Sequence, residues 1–116
     1  MADCIFCAIA AGGIPAAVVY EDEHYIAIRD IHPQAAVHLL VMPRRHWDDL
    51  SAFAADSGAA QAAAALPAAL AGAARACGIE DGGYRVISNC GTDAGQSVRH
   101  LHFHVLGGEP LGERIR

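Results

Sequence analysis

Three imidazoles at period-two spacing dominate the chemistry open to this chain: His100-Leu101-His102-Phe103-His104-Val105-Leu106. Such alternation is the signature of a strand, with His100, His102 and His104 on one face and Leu101, Phe103 and Val105 on the other. Neighbouring imidazoles on one face then sit about 6–7 Å apart, two strand rises. A row of this kind can be a solvated face, a metal site, or a catalytic and phosphate-binding row. Strand faces open to water usually carry Thr, Lys, Glu or Ser, which weighs against the first. His-x-His on a strand can chelate one ion. The catalytic reading is favoured, because the loop before the row is built to approach an oxyanion.

That loop is Asn89-Cys90-Gly91-Thr92-Asp93-Ala94-Gly95-Gln96-Ser97. Small residues and two glycines let backbone N–H groups come close to an anion. A phosphate could be held by loop amides and Ser97 while an imidazole reaches its phosphorus. A fourth histidine, His38, interrupts the otherwise apolar run Val37-His38-Leu39-Leu40-Val41-Met42. Alone it reads as a satisfied core residue; beside a histidine row it reads as part of a shared site. At the other end, Cys4-Ile5-Phe6-Cys7 has a spacing that can grip one zinc, but one pair cannot complete a tetrahedral site. The same spacing serves redox chemistry after a strand, and no strand precedes Cys4. Two buried reduced cysteines beside a short helix remain the plain alternative.

The elements that must position these groups follow from pattern. A short helix over residues 4–11 ends at Gly12-Gly13-Ile14-Pro15, a stop and a turn. Val18-Val19-Tyr20 and Tyr25-Ile26-Ala27-Ile28 read as strands joined by the acidic cluster Glu21-Asp22-Glu23. Asp30-Ile31-His32-Pro33-Gln34 is a loop, since Pro33 biases His32 away from helix. The His38 strand is central by its apolar content and ends at Pro43, followed by an exposed basic corner, Arg44-Arg45-His46. Residues 47–77 are alanine-rich and helical in propensity. Asp48 or Ser51 is expected to cap a short first turn, and Asp56 or Ser57 a longer helix ending at Gly78. Pro67 should kink or break that helix. Its large apolar residues are few, so light packing on the sheet is expected. Asp81-Gly82-Gly83 is a turn and Tyr84-Arg85-Val86-Ile87-Ser88 a fourth strand.

At 116 residues the chain is one domain with a single core. A formal charge of −5 argues against nucleic-acid binding through a broad basic surface, so an anionic ligand must be attracted by a local site. Met1-Ala2-Asp3 lacks the basic start of a signal peptide, and no apolar run approaches the roughly 20 residues of a membrane span. The expectation is a cytoplasmic protein whose four cysteines are reduced thiols or metal ligands.

The motif and its flanks resemble the histidine triad (HIT) superfamily, His-φ-His-φ-His-φ-φ with φ apolar. Gly95-Gln96-Ser97-Val98 and Gly107-Gly108 look like its Hint branch, the purine nucleoside phosphoramidases and related bacterial proteins. Ile5-Phe6, Ile14-Pro15-Ala16, Tyr20-Glu21-Asp22, Asp30-Ile31, Pro33-Gln34-Ala35 and residues 38–46 stand in family-like order. The resemblance covers nearly the whole chain except the alanine-rich helix and the tail. It implies a small α+β fold, a five-stranded antiparallel sheet with one long and one short helix, and a homodimer in which two sheets join. It implies binding of a purine nucleotide of the AMP or GMP kind and hydrolysis at the α-phosphorus, with no cofactor for catalysis.

Carried over residue by residue, His102 matches the nucleophile. Asp30 matches the carboxylate that holds the ribose hydroxyls, with Ile5, Phe6 and Ile31 lining the base pocket. Asn89, Gly95, Gln96, Ser97 and His104 match phosphate and leaving-group contacts, and His38 a histidine near the phosphate. Some members hold a structural zinc; here its ligands would be Cys4, Cys7, His46 and His100. The chain departs from the animal Hint proteins in ending Leu111-Gly112-Glu113-Arg114-Ile115-Arg116, without their aromatic, proline-rich C-terminus. Competing classes are a dinucleoside polyphosphate hydrolase using the same histidine, a non-catalytic nucleotide-binding module, and a metal-dependent hydrolase with all three histidines as ligands.

Overall fold

The computed structural model describes residues 4–115, so Met1-Ala2-Asp3 and Arg116 lie outside the described residues. Helix α1 (Ile5–Ala10) starts at Cys4, whose Sγ accepts from the Cys7 N–H as an N-cap. Strands β1 (Val18–Glu21) and β2 (Tyr25–Arg29) form the expected hairpin. Asp22 organises its turn, taking N–H groups of His24 and Tyr25 at 2.8 Å and the Tyr20 hydroxyl at 2.6 Å. Strand β3 (Val37–Pro43) is central. After α2 (Leu50–Ala55), a 3-10 turn over Ser57–Ala59 leads into α3 (Ala60–Ala76). Strands β4 (Tyr84–Ile87) and β5 (Phe103–Gly107) complete an antiparallel sheet ordered β1-β2-β3-β5-β4.

The fold class is the expected α+β, with two short helices beside the long one. Three local expectations are corrected. Asp49, not Asp48 or Ser51, caps α2, its carboxylate accepting from the Ala52 N–H; Asp48 is drawn instead to His46. Pro67 neither breaks α3 nor ends it. The proline removes the donor that would serve the Ala63 carbonyl, but Ala63 and Pro67 are both exposed, so water can replace it. The paired strand begins at Phe103, not His100, because β3 ends at Pro43, which has no N–H to carry the ladder on to Leu101.

Each sheet face has its own core. Tyr25, Ala27, Leu39, Val41, Leu101, Phe103 and Val105 face α3. The helix meets them with Ala62, Ala69, Ala73 and Ala74, all buried. Few large side chains intervene, so the helix comes close: a Cβ on Gly72 would lie 2.6 Å from Tyr20 Cε2. Thus light side-chain bulk gives close backbone approach rather than loose packing. Ile26, Ile28, Leu40 and Met42 point to the opposite face, where α1 covers them with Phe6 and Ile9. The imidazoles share that second face. No described helix is long and apolar enough to cross a membrane.

Candidate active site

The alternation read from sequence places the row as expected: Leu101, Phe103 and Val105 enter the α3-side core, and the imidazoles stand on the other face. His100 is fully buried and His102 is 5% exposed. Upstream of the ladder the chain is held by the end of β3 and the segment after it. The Leu101 N–H donates to the Trp47 carbonyl (2.7 Å) and His100 Nε2 lies 2.8 Å from the Pro43 carbonyl.

Acceptors fix the tautomers. A carbonyl oxygen only accepts, so His100 carries its proton on Nε2 and keeps a lone pair on Nδ1. His102 Nδ1 lies 2.8 Å from the His100 carbonyl, so its proton is on Nδ1 and Nε2 holds the lone pair. Phe6 stacks edgewise on His102 with centroids 5.1 Å apart. His104 packs against His102 at 5.2 Å. His38, on β3, reaches His104 with Nε2 2.9 Å from Nδ1, and Asp30 Oδ2 lies 3.4 Å from the same Nε2. Burial, then the neighbouring His102 and His38, push the His104 pKa below the ordinary histidine range, against the pull of Asp30.

Beside the row lies a cleft of about 350 Å³ lined by Ile5, Phe6, Ile9, Ile28, Ile31 and Leu40 among others, with Asp30 and Arg29 its charged lining. Ile5, Phe6 and Ile31 were expected there. Ile9, Ile28 and Leu40 were missed, although Ile9 is one helical turn from Ile5 and the two strand residues alternate onto the same face. Phe6 touches both cleft and nucleophile candidate, and Asp30 touches both cleft and His38.

The loop residues sit differently. Asn89 Nδ2 donates to the Ala94 carbonyl at 2.7 Å. Gln96 accepts the Gly91 N–H and donates to the carbonyls of Asp48 and Val98. The Gly95 N–H closes a turn onto Thr92, and Gly95 has φ +79°. These groups hold the loop's shape. Ser97 is exposed at its end. Just before the loop, Ser88 Oγ donates to the His102 carbonyl at 3.2 Å.

Cys4, Cys7, His46 and His100 converge, with one ligand atom each and all four within 4.8 Å of one another. Cys4 Sγ to His100 Nδ1 and Cys7 Sγ to His46 Nδ1 are both 3.3 Å, and Cys7 Sγ to His100 Nδ1 is 3.5 Å. Bond lengths of about 2.3 Å to sulfur and 2.0–2.1 Å to nitrogen put tetrahedral S and N ligands about 3.5 Å apart, so the set fits zinc. The outer nitrogens agree. His46 Nε2 donates to Asp48 Oδ1 at 2.8 Å and His100 Nε2 to Pro43, so both Nδ1 lone pairs face the sulfurs. Arg99 in turn holds Asp48 at 3.2 Å. Asp48 was missed as a partner; its place two residues after His46 was the available signal.

A family model described as the HIT domain matches residues 11–111. An uncharacterized HIT-like protein of Azospirillum brasilense is 44% identical over 111 residues, 96% of this chain and 90% of that protein. A solved HIT family hydrolase from Clostridium thermocellum superposes with a TM-score of 0.92 at 40% identity, covering 100% of this chain and 99% of the other. A zinc-bound histidine triad family protein from Mycobacterium smegmatis gives a TM-score of 0.73 at 36% identity, covering 97% of this chain and 82% of that one.

Proposed function

The chain belongs to the histidine triad family, and from that premise we propose that it is a purine nucleoside phosphoramidase-like hydrolase acting at the α-phosphorus. The observation that carries the reading is the 2.8 Å contact from His102 Nδ1 to the His100 carbonyl, which leaves the Nε2 electron pair for attack. The adjoining apolar cleft takes the flat base, and Asp30 takes the ribose hydroxyls. In-line attack forms the bond from His102 Nε2 to phosphorus and breaks the bond to the leaving amine, which takes up a proton from solvent as it departs; the water that later cleaves the intermediate gives one back. His104 and Ser97 donate hydrogen bonds to the phosphoryl oxygens and the leaving atom as charge spreads. Water then cleaves the intermediate, releasing the nucleoside monophosphate and restoring His102.

A structural zinc would be held by Cys4, Cys7, His46 and His100. Held there, these four residues would tie the N-terminal segment to the catalytic strand. The zinc-bound relative supports this assignment, as does the fit of the donor set. A homodimer joined at the β4 edge is supported by the exposure of Val86 and Ile87 on that outer strand. Four free cysteines suit the reducing cytoplasm.

Release of AMP from adenosine 5′-phosphoramidate, with and without a chelator, tests the activity. Turnover by wild type that disappears in His102→Ala supports the proposal. A folded wild type that releases no AMP contradicts the phosphoramidase assignment, and dinucleoside polyphosphates are then the next substrates to try.

A further inference from the structure

We infer that His38 is a positioning residue that sets the tautomer of His104, and that a main-chain N–H, that of Gln34, sets the tautomer of His38. The Gln34 N–H donates to His38 Nδ1 at 3.0 Å. A nitrogen accepting that bond carries no proton, so neutral His38 has its proton on Nε2. Nε2 lies 2.9 Å from His104 Nδ1 and 3.4 Å from Asp30 Oδ2. The shorter contact directs the proton to His104, whose Nδ1 must then be the acceptor. His104 therefore carries its own proton on Nε2 and faces the reaction as a donor. The reverse assignment puts a proton on His38 Nδ1 and sets two N–H groups against each other at 3.0 Å.

The relay has two consequences. The last two histidines of the row are fixed in opposite senses. His102 has its proton on Nδ1 and a lone pair on Nε2, whereas His104 has the lone pair on Nδ1 and the proton on Nε2. One imidazole is a nucleophile and its neighbour a hydrogen-bond donor, as attack on an anionic phosphorus requires. The relay also decides between two groups that look alike. Asp30, His38 and His104 bring three ligand atoms within 4.8 Å of one another, as Cys4, Cys7, His46 and His100 do. At the cysteine site the outer histidine nitrogens donate, leaving lone pairs for a metal. At the Asp30 site His38 Nδ1 accepts, so Nε2 keeps its proton and cannot ligate.

The role of His104 toward phosphate rests on the proposed hydrolase reading; the tautomers do not. The experiment is long-range ¹⁵N–¹H correlation NMR of the labelled full-length protein, without substrate, alongside steady-state kinetics with adenosine 5′-phosphoramidate. The expected spectrum has His38 and His104 both protonated on Nε2. In His38→Phe, His104 should lose that preference and kcat fall on the order of tenfold, less than the hundredfold or more from direct loss of an oxyanion donor. His38→Gln, whose amide N–H can donate to His104, should restore both the tautomer and most of the rate. His104 protonated on Nδ1 in the wild type would overturn the relay, and so would an unchanged His104 tautomer in His38→Phe. Should His38→Phe not fold, the wild-type spectrum decides alone. Correct tautomers in a protein that does not release AMP would uphold the relay and overturn the activity.

Discussion

His102 Nδ1 stands 2.8 Å from the carbonyl oxygen of His100, two residues upstream and buried. The first histidine of the row thus orients the second through its backbone, while its ring turns away to Pro43 and the two cysteines. Removing the proposed nucleophile's ring would leave that arrangement in place. His102→Ala is expected to fold, with a circular dichroism spectrum like the wild type, and to lose on the order of 10³-fold or more in kcat. Residual turnover within about tenfold of wild type would remove His102 from the nucleophile's role.

The cysteine–histidine cluster predicts one zinc per chain, measured by elemental analysis, and none added at Asp30, His38 and His104. Helix α1 carries Cys7 together with Ile5, Phe6 and Ile9 of the cleft wall. Losing a metal bound there would therefore loosen the apolar cleft as well as the fold. Cys4→Ser should lower the zinc content, lower the melting temperature and raise KM more than it lowers kcat. Full zinc occupancy in Cys4→Ser, or an unaltered KM in a metal-free variant, contradicts this.

Helix α3 gives a packing test. Gly72→Ala would gain helix propensity of up to about 1 kcal/mol on an open surface. Here the new Cβ meets the Tyr20 ring at 2.6 Å, and overpacking of that kind costs about 1–3 kcal/mol. Net destabilisation is expected in denaturant melts, against the propensity scale. A more stable Gly72→Ala would show that α3 shifts freely on the sheet.

Acid should weaken the fold through the histidines. Burial lowers the pKa of His104, helped by His102 and His38 and opposed by Asp30; burial also lowers His100, opposed by its bond to Pro43. Both folded values lie below the ordinary value of about 6.5, so on acidification the unfolded chain takes up these protons first. The stability is present above about pH 6.5 and is lost as pH falls through the depressed folded values. Asp22 adds a later loss in the carboxylate range: burial opposes ionisation, but the Tyr20 hydroxyl and the His24 and Tyr25 N–H groups outweigh it and lower its pKa. A melting temperature of metal-free protein that is flat or rises between pH 7 and 5 contradicts the histidine contribution.

The legible part of the site lay in short-range pattern. His-x-His-x-His fixes its own face by alternation, and Cys4-x-x-Cys7 fixes its own spacing. The partners were not legible, because they are backbone groups or arrive from far along the chain. Pro43 O is 57 residues from His100, and the Gln34 N–H says nothing through its side chain. Pro67 misled for a related reason: propensity sees the lost donor but not the water available to the exposed Ala63 carbonyl. Asn89 and Gln96 were expected at the phosphate through the family resemblance alone; here Asn89 Nδ2 donates to the Ala94 carbonyl and Gln96 Nε2 to the carbonyls of Asp48 and Val98.

The central claim is a covalent nucleotidyl-histidine step, and the stereochemical course at phosphorus tests it most directly. An adenosine 5′-phosphoramidate made chiral by sulfur at the α-phosphorus would be hydrolysed in ¹⁸O-labelled water and the product configuration determined. Two in-line displacements, first by His102 and then by water, predict retention. Inversion would mean that water attacks directly and would contradict the account.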